Sequence, residues 1–502
     1  MGDISNLAIV GCTSGKDLAG HIENALARAG DIDIMHVPLV HMAYSDGAIN
    51  AKVLSTDEAD AMKYAQQNSL DLLVEERLKK DLPNTHVVIT QRLVDPFSLR
   101  PAHYAVLELM RKRIAGEITD EGSARVLMSQ RLEGHLKSGV AYSPEHQQGG
   151  MIKENKFREL WNALKEFMDI NQDVTLSQLE GDRRIHYELQ GHFERITRDR
   201  TFNDELNELF ITAALLKQYG AREITALLPY FEGRSDRDTT HGEGNLSRQW
   251  AGFMKESGIN RIVTWRRHSD RQVGYYRKRG IEFHEVFYDQ NMRQMYIDRL
   301  VNKFANQIVD PREIAERLVV VGPDEGSEKE TIVFAEELTR ALKLHPSLGP
   351  DFPSDYSVPW IIYEKNREGK AQVVKDITPW KSSGIDKNAN LGSYIVVVRD
   401  DIFDTGGTNE KLLKRIGLMS ESGERAGTGY CFIVADAPVF SGGGIDRVFS
   451  LHERKVLFEL YASRSVEPPL WTIGVGRTIG YVDIRTPFTR EVEMIHRNMV
   501  GR

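Results

Sequence analysis

Tyr394-Ile395-Val396-Val397-Val398-Arg399-Asp400-Asp401-Ile402-Phe403-Asp404-Thr405-Gly406-Gly407-Thr408 runs from an apolar stretch into two adjacent acids and then a Thr-Gly-Gly-Thr turn. A short apolar run bounded by turn residues reads as a buried strand of a parallel sheet. The pattern that follows, Asn409, Glu410, Lys411, Leu412, Leu413, opens a helix. A helix that starts straight from a turn leaves its first amide N–H groups without intrahelical partners, and these cradle a phosphate. Gly406 and Gly407 let the backbone approach the anion closely, and the hydroxyls of Thr405 and Thr408 stand beside it. Asp400 and Asp401 would repel a bare phosphate. They ask instead for vicinal sugar hydroxyls or a hydrated magnesium ion. Together the features read as a ribose 5-phosphate site. An ordinary strand-to-helix turn, with Thr408 as N-cap and Asp404 holding the loop, uses the same residues. The joint occurrence of strand, paired acids and both threonines favours the binding reading.

The chain has 502 residues, room for two or three domains. Its 41% hydrophobic and 27% charged residues point to a soluble globular protein rather than a disordered or membrane one. A formal charge of −8 argues against nucleic acid or an anionic membrane as the main partner. Cys12 and Cys431 are the two cysteines, so neither a disulfide framework nor a cysteine metal site is expected. No run is apolar enough to cross a bilayer, the first residues lack signal-peptide character, and a cytoplasmic location is expected. Gly11-Cys12-Thr13-Ser14-Gly15-Lys16 imitates a phosphate-binding P-loop but is one residue short and lacks Ser or Thr after the lysine.

Short apolar strands alternate with amphipathic helices along most of the chain. Strands are expected at 7–12, 32–40, 223–229, 261–265, 318–321, 360–363, 394–398 and 430–435. Helices are expected at 17–29, 206–219, 247–257 and 329–344. This rhythm predicts an α/β protein with parallel sheets flanked by helices, and ligands beyond the C-terminal strand ends. Between about 55 and 203, polar helical patterns dominate and read as an insertion, with a strand signal at 86–90. Residues 346–357 and 380–392 read as loops.

Further segments accompany the phosphate turn in a recognisable order. These are Tyr44-Ser45-Asp46-Gly47-Ala48, Arg234-Ser235-Asp236-Arg237, Ile262-Val263-Thr264-Trp265-Arg266-Arg267-His268, Pro323-Asp324-Glu325-Gly326, Glu364-Lys365-Asn366-Arg367 and Phe440-Ser441-Gly442-Gly443-Gly444. With the 400–408 loop they make the chain resemble the ribose-phosphate pyrophosphokinase family over about two-thirds of its length. The resemblance implies two phosphoribosyltransferase-like lobes. The first, 1–308, carries the mainly helical insertion of about 55–203 and holds ATP. The second, 309–485, binds the phosphoribosyl group, and 486–502 forms a C-terminal segment that packs on the first lobe. By the same resemblance, Tyr44, Asp46, Arg234, Ser235, Asp236 and Arg237 contact ATP. Asp400, Asp401, Asp404, Thr405, Gly406, Gly407 and Thr408 bind ribose 5-phosphate. His268 and Asp324 hold magnesium, and Lys365, Arg367 and His268 serve catalysis, the first two from a mobile loop. A homo-oligomer is implied as well.

The chemistry agrees with these residue types. Transfer of a pyrophosphoryl group rests on positioning and charge neutralisation, which cations such as Lys365 and Arg367 supply. Magnesium takes oxygen ligands, so Asp324 suits it better than His268 does. The chain departs from the family pattern at Ala48, Ser235, Arg266, Arg267 and Asp436, the last standing where a histidine is expected. Arg266 and Arg267 make the nucleotide edge basic. The expected reaction takes ATP and ribose 5-phosphate to phosphoribosyl pyrophosphate and AMP. Three alternatives stand beside it: the same chemistry on a larger 5-phosphoribosyl acceptor such as ADP-ribose, a non-catalytic regulatory homologue, and a phosphoribosyltransferase.

Overall fold

Strands that are apolar on both faces must be covered on both faces, and parallel sheets flanked by helices achieve this. The structure is a computed structural model that describes residues 4–12, 15–30, 32–35, 37, 39–43, 49–53, 78–93, 109, 112–113, 116–118, 120, 122–124, 127, 162, 202–231, 245–267, 269–286, 290–307, 310–368, 373–440, 444–466 and 478–500. Two units form, one from Met1–Val286 with Pro469–Gly474 and Arg485–Arg502, the other from Phe287–Pro468 with Val475–Ile484.

The described elements of the first unit begin with β1 (Asn6–Gly11), α1 (Lys16–Ala29) and an antiparallel hairpin of β2 (Leu39–Ala43) and β3 (Ile49–Val53). They continue with β4 (Thr85–Thr90), α2 (Phe202–Gln218), β5 (Glu223–Leu228), α3 (Leu246–Glu256), β6 (Arg261–Thr264), α4 (Asp270–Arg277) and β7 (Glu282–Glu285). Five strands pair in parallel in the order β1-β4-β5-β6-β7. Val87, Ile89, Ile224, Ala226 and Ile262 pack with Leu209, Leu216, Trp250 and Tyr276 in its core. Although β4 falls within the 55–203 stretch, it pairs on both sides in this sheet, so that stretch supplies a central strand besides its polar patterns. The expected strand at 32–40 is reduced. Among the described residues, Ile34 makes a single bridge to Leu7, and the strand β2 begins at Leu39.

The C-terminal helix Arg485–Val500 belongs to this first unit. His496 on it stacks on His86 of β4 at 5.8 Å between ring centroids, and His86 Nε2 lies 2.8 Å from Thr225 Oγ1. Burial, helped by His496 and Arg261, pushes the His86 pKa down to about 3; burial also lowers His496. The folded form therefore keeps His86 neutral while the unfolded chain takes up its proton near pH 6.5. Stability is complete above that pH and is lost as the pH falls from about 6.5 toward 3. Between pH 6.5 and 5.5, His86 should cost about 1 kcal/mol. Urea unfolding at the two pH values checks this. The loss should largely vanish in His86→Leu, and an equal loss in that variant would contradict the assignment.

The second unit contains α5 (Gln290–Gln307), α6 (Pro311–Arg317), β8 (Leu318–Gly322), α7 (Glu328–Leu344), β9 (Trp360–Glu368) and β10 (Val373–Ser383). It continues with β11 (Ile395–Phe403), α8 (Gly407–Arg415), β12 (Tyr430–Pro438), α9 (Gly444–Glu453), β13 (Glu459–Ser463) and β14 (Ile479–Val482). Its seven strands run β10-β9-β8-β11-β12-β13-β14, parallel except for β10. From β8 the chain winds outward through β9, whereas from β11 it winds the other way through β12. The crevice at the C-terminal ends of β8 and β11 is therefore the switch point at which such sheets bind ligands. Val319, Val320, Val321, Val396, Val397 and Val398 are fully buried beneath it.

The hairpin β9–β10 corrects two expectations. Part of the expected loop 380–392 is strand, since β10 extends to Ser383. Lys365 and Arg367 lie on β9, paired with Ile377 and Val374, and not in a loop. Among the described residues no helix is long and apolar enough to cross a membrane, and Cys12 and Cys431 are buried and form no disulfide.

Candidate active site

The apolar run of β11 ends where Asp400 and Asp401 begin its last turn toward α8. Asp400 is 6% exposed. Its carboxylate accepts the Asp401 amide at 3.0 Å and Asn409 Nδ2 at 3.4 Å. Burial first, then the carboxylates of Asp401 and Asp324, push its pKa up, while the Lys365 ammonium pulls it down. Four groups expected from the sequence thus converge: Asp324 after β8, Lys365 on β9, and Asp400 and Asp401 on β11. Lys365 Nζ lies 2.5 Å from Asp324 Oδ2.

The turn that follows opens α8 directly. Gly406 has φ +73 and precedes α8 without a side-chain cap on that helix. The amide of Gly407 makes only a long contact, 3.4 Å, to Thr405 Oγ1. Helix-start amides of this kind, at the positive end of the dipole, suit a phosphate. Thr405 is exposed, and Asp404 and Thr408 are half-buried. A Cβ on Gly406 would stand 2.8 Å from the Phe403 ring, which is itself buried against Phe440. Gly406→Ala should cost about 1–2 kcal/mol from the left-handed backbone alone, with more from the displaced ring. A denaturant midpoint equal to wild type would show that this conformation is not needed.

Two arginines support the loop that the sequence did not reveal. Arg399 and Asp436 are each 1% exposed, and Arg399 Nη2 meets both Asp436 oxygens at 2.8 and 2.7 Å. Arg399 Nη1 also donates to the Asp400 carbonyl. Asp436, noted above only as a departure from a histidine, is the counter-ion of a buried arginine joining β11 to β12. Arg447 on α9 donates to the Thr405 carbonyl and pairs with Glu410 at 3.0 Å. The one sequence signal for Arg447 is its position just after the glycine-rich stretch.

Several expected residues lie outside the described ones: Tyr44, Asp46, Ala48, Arg234, Ser235, Asp236, Arg237, His268, the Ser441–Gly443 turn and the side chain of Arg367. Arg267 is described and is engaged internally. Its guanidinium pairs with Asp270 at 3.0 Å and Glu285 at 3.1 Å, so the basic charge expected at this edge is already answered by acids. As for magnesium, no three ligating side chains converge among the described residues. Asp324 offers a single carboxylate with 30% side-chain exposure. One or two carboxylates completed by water and substrate phosphates is the usual way magnesium is held beside a nucleotide, so the donor set fits an ion that arrives with its substrate.

No protein-family model matches the chain. It is 28% identical over 284 residues to ribose-phosphate pyrophosphokinase 2, chloroplastic, of Arabidopsis thaliana, covering 55% of this chain and 58% of that protein. It is 28% identical over 251 residues to a ribose-phosphate pyrophosphokinase of Nostoc, covering 49% of this chain and 60% of the relative. A Hyphomonas neptunium ribose-phosphate pyrophosphokinase is 23% identical over 325 residues, with 63% and 87% covered. The chain thus spans less than two thirds of the Arabidopsis and Nostoc relatives. In fold it is similar to the crystal structure of phosphoribosylpyrophosphate synthetase from Mycobacterium smegmatis, with TM-score 0.52, 14% identity, and 98% and 99% of the two chains covered. In sequence and in fold the chain is thus similar to ribose-phosphate pyrophosphokinases.

Proposed function

We propose that this protein transfers the pyrophosphoryl group of ATP to the anomeric hydroxyl of ribose 5-phosphate, giving phosphoribosyl pyrophosphate and AMP. The observation that carries this reading is the meeting of Asp324 and Lys365 with Asp400 and Asp401 beside an uncapped helix start. The amides from Gly406 to Thr408 hold the 5-phosphate. Asp401, less buried than Asp400, takes the ribose hydroxyls, and Asp400 braces the loop through Asn409. Lys365, with Arg367 from the same strand, meets the charge that develops as the β-phosphorus passes from AMP to the sugar oxygen. Bound with the nucleotide, magnesium would neutralise phosphate oxygens next to Asp324. Because Arg267 is committed to Asp270 and Glu285, ribose 5-phosphate itself is preferred over a larger acceptor.

Purified protein given ATP, magnesium and ribose 5-phosphate should release AMP in step with phosphoribosyl pyrophosphate. AMP formed only with ADP-ribose would move the reading to a larger acceptor. Pyrophosphate released only when a free base is added would make the protein a phosphoribosyltransferase. Inactivity alone, with modulation of an active pyrophosphokinase, would make it regulatory. Asp401→Ala should raise the Kd for ribose 5-phosphate about tenfold or more, the value of a charge-assisted hydrogen bond or two. Calorimetric titration measures this, and wild-type affinity would remove Asp401 from the sugar site.

A further inference from the structure

Both carboxylate oxygens of Asp324 are already engaged. Oδ1 accepts the Ser327 amide at 3.1 Å, Oδ2 accepts Lys365 Nζ at 2.5 Å, and Ser327 Oγ donates back to the Asp324 carbonyl at 2.6 Å. The lysine side chain is only 13% exposed. The same ammonium also offsets Asp400, whose other charged neighbours are Asp401 and Asp324. One lysine therefore serves as counter-ion to the acids at the C-terminal ends of β8 and β11.

A divalent ion bound to Asp324 at about 2 Å would stand within a few ångströms of this ammonium. At that separation two cations repel in a partly buried setting, so each weakens the other's hold on the carboxylate. We infer that Lys365 is a built-in competitor for the divalent cation at Asp324. Binding of the cation expels the ammonium, and the freed lysine becomes available to the phosphates. The lysine's flexible four-carbon stem permits the exchange. The inference rests on the reading of Asp324 as the cation ligand and adds that the catalytic lysine gates it.

Titration with Mn2+ alone, with free ion followed by electron paramagnetic resonance, tests the competition without any turnover. Lys365→Met should bind Mn2+ on the order of tenfold more tightly than wild type, and Lys365→Gln should do the same as a second neutral variant. Lys365→Arg, which keeps the charge, should stay near wild type. Adding Asp324→Asn to Lys365→Met should abolish the gain. The inference is overturned if the neutral variants bind no more tightly, including if neither they nor wild type bind, or if the gain survives Asp324→Asn. AMP release by wild type is scored separately. Release without the Mn2+ gain would discard the competition and keep the pyrophosphokinase reading, and the gain without release would do the reverse.

Discussion

Lys365→Ala should lower kcat on the order of 10³-fold while changing the KM for ATP and for ribose 5-phosphate little. A cation placed against the transferring group of a loose phosphoryl transition state has about that worth, equivalent to about 4 kcal/mol of barrier. The Lys365–Asp324 pair taken merely as a structural ion pair predicts something else. Such pairs contribute at most a few kcal/mol to stability, and their loss would leave kcat nearly unchanged in the folded fraction. Steady-state kinetics on protein checked for folding separates the two. Equal loss in kcat and kcat/KM marks an interaction made only in the transition state, whereas a rise in KM alone marks ground-state binding. Arg367→Ala, on the same strand, should behave alike. Unchanged turnover in both variants would remove these residues from the chemistry.

Arg399→Met should destabilise the second unit by about 3–5 kcal/mol, because it leaves the Asp436 carboxylate buried without the guanidinium that meets both its oxygens. Removing charge from both sides is a different matter. Buried pairs replaced whole by apolar residues of similar volume are often neutral in cost, so Arg399→Met/Asp436→Leu should recover much of the loss. A double-mutant cycle by urea unfolding reads the coupling. The pair also bears on the candidate site. Arg399 holds the Asp400 carbonyl, and the Asp436 carbonyl accepts Ser465 Oγ at 3.2 Å, so the strand ends beneath the 404–408 loop are tied together. Additive single-variant losses would show that the two residues act independently.

How far these features could be read from the sequence depended on whether the signal was local. Residues 395–398 are apolar at every position, Gly406 follows paired acids, and a helical pattern begins at once, so strand, turn and helix start were all visible there. The same holds for β5 and β8, whose apolar runs match the observed strands within about two residues. β10 failed that test. It is an edge strand carrying Lys375, Asp376, Pro379 and Lys381, and an antiparallel edge open to water needs no apolar run. Lys365 and Arg367 sit in an equally charged stretch, which local composition assigns to a loop and only the register with β10 makes a strand. The pairs Lys365–Asp324 and Arg399–Asp436 join residues 41 and 37 positions apart. Sequence order placed each partner near a strand end, but sheet topology brought them together. Arg447 was missed for the same reason.

Crystals soaked with ribose 5-phosphate test the central claim most directly. The account predicts the phosphate against the amides of Gly406, Gly407 and Thr408, with ring hydroxyls at the Asp401 carboxylate. Sugar density elsewhere, with this loop unchanged and empty, would contradict it.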